Sequence, residues 1–144
     1  MVRRKNGNSP ITNDTGKSME KENQNLRTAL IEIAAEEWRF KHALVKALQN
    51  MDVMEAERFS RQYSYFSTRV SRAMSLAGLS CLDLSGQPYD VGMAVQGMNI
   101  EEFDDDEDLI ITVMVEPVIL CDGKVVRTGM AMLGRAANIP KTEE

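Results

Sequence analysis

Apolar residues first recur along the chain with a period of seven: Met19, Leu26, Ile33, Phe40, Ala47 and Met54 fall on one line. A companion line four residues on holds Asn23, Leu30, Glu37, Leu44 and Met51, and a third, Ile31, Ala34, Trp38 and Val45, widens the stripe. This spacing makes one face of an α-helix apolar, and a stripe so broad fits a helical bundle better than a lone two-stranded coil. Ser18, followed by Glu20 and Glu22, predicts a helix start there, since a hydroxyl caps free N–H groups and acids favour the positive helix end. Asp52 with Glu55 is a capping-box-like pair, so a fresh helix is expected from about 53. Ala56, Phe59, Tyr63, Phe66, Val70, Ala73 and Ala77 then alternate spacings of three and four until Gly78, the expected stop. Two helices are expected, roughly 19–49 and 53–77, with one continuous or bent helix as the alternative. Two helices cannot cover this stripe by themselves, whereas two chains can close a four-helix bundle. Leu26, Leu30, Ile33, Phe40 and Leu44 are therefore the expected homodimer interface.

After Gly78 the helical period gives way to short apolar runs. "LSCLDL" (79–84) and the β-branched "LIITVMVE" (109–116) read as strands. Pro117 lacks a ladder donor and predicts an edge, a bulge or a strand break. Asp122-Gly123, set between "VILC" and "KVVRTGMAML", is the signature of a two-residue type I′ hairpin turn, with Lys124 just past the tip. In the return strand, Val126, Thr128, Met130 and Met132 fall on one face, and Val125, Arg127, Gly129, Ala131 and Leu133 on the other. The expected fold class is α+β: a long N-terminal helical dimerisation stem (18–78), forming a coiled coil or four-helix bundle in the dimer, then a small β-rich head (79–134). Residues 1–17 read as a disordered basic tail and 135–144 as a frayed one.

Charge and chemistry narrow the function. The net charge of −5 argues against nucleic-acid binding, which usually needs a basic face. "EEFDDDED" (101–108) carries seven acids in eight positions; it lacks the central Gly and closing acid of a calcium loop and reads as a solvated loop or a steering surface. Two cysteines, Cys81 and Cys121, without metal spacing fit two free thiols in a reducing cytoplasm. No apolar run approaches the roughly 18 residues that span a bilayer, so no membrane partner is expected. His42 is the single histidine and lies off the main stripe, so histidine-based nucleophile–base pairs have no framework. No catalytic residue, metal or cofactor is expected. Ten methionines, several of them in the head, fit either a core filler or an adaptable contact surface. A binding protein is expected, not an enzyme.

The order of features resembles the GrpE family of nucleotide exchange factors. In "MSLAGLSCLDLSGQPYD" (74–90), Gly78, Leu82, Gly86, Tyr89 and Asp90 fall in register with the pattern that closes that family's helical part. In "PVILCDGKVVRTGMAML" (117–133), the polar turn, Lys124, Val126-Arg127, the small Gly129, and Ala131 and Leu133 match its last hairpin. Pro117-Val118 stands where the family has Gly-Tyr, and Val91 where it has Pro, so the chain looks like a divergent, short-stem member. The resemblance implies a homodimeric co-chaperone of protein folding and the stress response. Its head would bind the nucleotide-binding domain of a DnaK-type chaperone and hold the cleft open so that ADP leaves. It implies partner contacts at Lys124, Leu133 and Met114, with Asp122 and Gly123 at the tip. Gly78, Gly86, Tyr89, Asp90, Arg127 and Gly129 would serve as structural motif positions. The alternative is a dimeric adaptor that binds a DnaK-type or actin-like ATPase without accelerating exchange.

Overall fold

The computed structural model describes the backbone of residues 11–136 and the side chains from residue 15 onward. The chain is α+β: helix α1 (Ile11–Leu48) and helix α2 (Val53–Leu76) precede six strands and a short 3-10 turn. Helix α1 begins upstream of the expected start. Ser18, Glu20 and Glu22 lie inside it, Ser18 does not cap it, and the part of the expected disordered tail from residue 11 onward is helical. The remaining tail residues, 1–10 and 137–144, lie outside the described residues. The break between the helices falls where expected. Asp52 precedes α2 in an extended conformation, although its side chain makes no capping hydrogen bond. Gly78, at φ 72, stops the second helix, and its N–H donates to the Ser75 carbonyl at 3.0 Å. The left-handed backbone there suits glycine, which has no Cβ to clash.

The strands are β1 (Leu79–Leu82), β2 (Val95–Gly97), β3 (Leu109–Glu116), β4 (Val118–Cys121), β5 (Lys124–Arg127) and β6 (Gly129–Arg135). They form two three-stranded sheets, ordered β1-β4-β5 and β2-β6-β3. The expected hairpin is present, with Asp122 at φ 50 and Gly123 at φ 83 joining β4 to β5, as a type I′ turn requires. The continuous return strand is not: it breaks at Thr128, opposite the break that Pro117 makes in the outgoing strand. One long hairpin is thus bent, its tip half in one sheet and its base half in the other. Proline cannot donate to the ladder, and Pro117 is fully buried at this corner. Gly129 sits beside it, where a Cβ would come within 2.7 Å of Met114 Cε and 3.1 Å of the Glu116 carbonyl oxygen. Only a residue without a side chain lets the two strands cross this closely.

Two core clusters join head to helices. One gathers Ile111, Met114, Val118, Ala131, Leu133 and Val95, with Trp38 of α1 packed on it. The other holds Ala34 of α1, Met74 of α2, Leu79 of β1 and Ile119 of β4. Ile111, Met114 and Ile119 are fully buried, each contributing about 1.5–3 kcal/mol of apolar transfer free energy. The head is therefore docked against the middle of α1. Ala77, just past α2, lies beside Leu26 and Leu30, so the N-terminal part of α1 runs on beyond its neighbour. The side chains of residues 15–29 are all exposed there.

Candidate partner-binding site

The hairpin tip is exposed but held. The Asp122 N–H donates to the Gly78 carbonyl at 3.0 Å, and its carboxylate covers Gly78 so closely that a Cβ there would meet Oδ1 at 2.6 Å. The tip is thereby tied to the end of α2. Gly123 has open space around it. Lys124 projects into solvent and forms no salt bridge among the described residues. Val125 and Val126, the next two residues, are 49% and 44% exposed on β5, an edge strand of its sheet. An exposed cation at the tip, with one exposed valine on each face of the open edge strand, offers a partner both charge and apolar contact.

Behind the tip lies an ionic network that no local pattern foreshadows. Glu116, 3% exposed, accepts hydrogen bonds from Arg39 of α1 and from Arg127, the latter at 3.2 Å. Arg127 also donates to Glu32 of α1 at 2.8 Å. Burial alone would push the Glu116 carboxyl up, but the two guanidinium hydrogen bonds outweigh it and hold the group below the usual carboxylate range. Arg39 is raised in turn, chiefly by its hydrogen bond to Glu116. One neutral bond reinforces this brace: Trp38 Nε1 donates to the Met114 carbonyl at 2.8 Å. The partners lie 77, 11, 95 and 76 residues apart, beyond any local spacing rule. The available signal was Glu116 itself, a lone acid inside the apolar run "LIITVMVEPVIL".

The expected contact residues divide. Lys124, Gly123 and Asp122 gather at the tip. Met114 and Leu133, placed at the partner surface by the resemblance, are 0% and 4% exposed and belong to the core. Both belong to the buried cluster with Val95 against which Trp38 packs, so neither presents a side chain to a partner. Arg127 is half-buried in the ionic network, and Gly129 fills the strand crossing. Gly86, at φ 86, turns the loop that pairs with the edge of β3. Tyr89 is half-buried, its N–H donating to the Leu109 carbonyl, and Asp90 accepts from the Gly92 N–H.

On the helices, Leu26, Ile33 and Phe40 are 69%, 54% and 54% exposed, whereas Leu30 turns inward onto the second core cluster and Leu44 is half-buried. Ile33, Phe40 and Phe66 of α2 line a shallow apolar groove between the helices. His42 is half-buried against Trp38, its Nδ1 3.0 Å from the Trp38 carbonyl oxygen. Partial burial, then the Glu37 charge, pushes the Cys81 thiol up, away from the thiolate that nucleophilic chemistry needs. Among the described residues no group of three or more His, Cys, Asp or Glu side chains is placed to hold a metal ion, and no helix is long and apolar enough to cross a membrane. Comparison of the chain with protein-family models, with curated proteins and with solved structures gives no match in any of the three.

Proposed function

We infer that the chain is a GrpE-like co-chaperone, a homodimer whose head binds the nucleotide-binding domain of a DnaK-type chaperone and promotes ADP release. The observation that carries this reading is the hairpin tip. Asp122, Gly123 and Lys124 stand exposed at a turn tied to the end of α2, on a head braced to α1 through Trp38, Arg39 and Glu32. Exchange needs a ligand that favours the open, low-affinity state of a nucleotide cleft, and a rigid protrusion can do so where a pliable one deforms instead. The exposed line Met19, Leu26, Ile33 and Phe40 supports a second copy packing along α1.

The adaptor reading stays in view because of Met114 and Leu133. Two of the positions that the resemblance assigns to partner contact are core residues, which leaves a smaller surface for prying a cleft apart. Linkage separates the readings. An exchange factor and ADP weaken each other's binding by the same factor, so titration of the chain into the nucleotide-binding domain of its own organism's DnaK-type protein is expected to give tighter binding without ADP than with it. Equal affinity in both conditions supports the adaptor.

A further inference from the structure

A cleft of about 280 Å³ opens at the base of β3, away from the hairpin tip: Leu109 begins β3 on its floor, whereas the tip follows Cys121 at the end of β4. Its walls are Tyr89, Phe103 and Ile100. Three carboxylates on its lining, Asp90, Asp104 and Asp105, form no salt bridge among the described residues. The apolar wall continues outward through Val91, which is 82% exposed. An acidic solvated loop alone needs no aromatic cleft within it.

The chain's own contacts show what chemistry this wall accepts. Arg135 lies with its guanidinium 5.2 Å from the centre of the Phe103 ring, and its Nε donates to Glu107 Oε1 at 3.2 Å. The other oxygen, Glu107 Oε2, is buried and accepts no hydrogen bond among the described residues. One guanidinium is thus already seated between ring and carboxylate, and a buried acceptor beside it is left over. No group of three or more of these carboxylates is placed to hold a metal ion among the described residues. A cation whose charge is delocalised and whose donors are forked, as in a guanidinium, suits separate carboxylates beside an aromatic wall. The volume, at the small end for ligand pockets, fits one or two side chains better than a cofactor.

We propose that this cleft docks an extended basic segment of a partner protein, with arginines alternating with aliphatic residues. A guanidinium stacks on Tyr89 or Phe103 and pairs with Asp104 or Asp105, and the neighbouring aliphatic side chain lies on Ile100 and Val91. The site does not depend on the hairpin tip or on any effect on nucleotide release.

The test is fluorescence anisotropy of a labelled peptide, Gly-Arg-Leu-Arg-Leu-Arg-Gly, titrated with the full chain at physiological salt. Saturable binding is expected. The double variant D104N/D105N should weaken it at least about tenfold, as loss of two charge-assisted contacts implies, and Ile100→Ser should weaken it several-fold. All three substituted side chains are solvent-exposed, so unchanged helical circular dichroism is expected and checks the fold. Three results would overturn the proposal: no saturation by about 100 μM chain, a level that detects even weak contacts; unchanged affinity in D104N/D105N; or equal affinity for a Gly-Arg-Gly-Arg-Gly-Arg-Gly peptide. The last would show bulk charge attraction without a cleft.

Discussion

Glu116 shows how a single buried acid can fix the relation between two parts of a chain. Its carboxylate is out of water, and two guanidinium groups from different elements compensate it. Removing the charge while keeping the shape leaves both cations without their shared partner. Glu116→Gln is expected to cost about 2–3 kcal/mol in urea unfolding, somewhat below the figure for a wholly buried pair because both arginines keep access to solvent. The pH dependence has a definite sign. The folded carboxyl titrates below its ordinary value of 4.5, so its contribution is present above that value and is lost as pH falls through the folded pKa. Unfolding curves of the native chain should hold steady down to about pH 5 and weaken below it, and the Gln variant should show a shallower acid slope. Tyr63 behaves oppositely. Burial, and then its hydrogen bond to Glu37, pushes the phenol from 10.0 up to about 12. Its contribution is present below pH 10 and lost as pH rises toward 12, so ultraviolet titration should find one of the three tyrosines ionising late.

At the scale of elements, local rules and distant contacts share the outcome. The turn at Asp122-Gly123, the stop at Gly78 and the helix break near Asp52 were all legible, because each depends on a few adjacent residues. The bend that carries one hairpin into two sheets was only half legible. Pro117 announced a break on one strand, but nothing local marks Thr128, whose interruption follows from pairing with the broken partner. The short β2 escaped notice since its three residues gain their ladder only by lying parallel to β6. Leu133 shows the same limit: alternation set its face, and only tertiary packing makes that face, together with Met114, part of the interior. Gly129→Ala tests the crossing. The new methyl would press on Met114, Val118 and the backbone at Glu116, and a loss of about 1–3 kcal/mol is expected in thermal or chemical unfolding.

For α1, the exposed line of Leu26, Ile33 and Phe40 is the face proposed to pack against a second copy. Light scattering at micromolar concentration is expected to give twice the chain mass of 16.2 kDa, and Leu26→Asp with Phe40→Asp should return it to the monomer. A monomeric native chain would remove the dimer from the account.

For the whole molecule, the central claim is that a rigid head on a helical stem acts on a partner's nucleotide cleft. The sequence supplied the candidate tip and its cation. It could not supply the brace that ties the head to α1, because Arg39, Glu116, Arg127 and Glu32 meet only in three dimensions. The measurement that tests the claim most directly is the release rate of a fluorescent ADP analogue from the DnaK-type protein of the same organism, with the native chain and with Lys124→Glu. The account predicts at least about tenfold faster release with the native chain, within the usual range of coupling between sites, and most of that gain lost when the tip charge is reversed. An unchanged release rate with saturating native chain would contradict it.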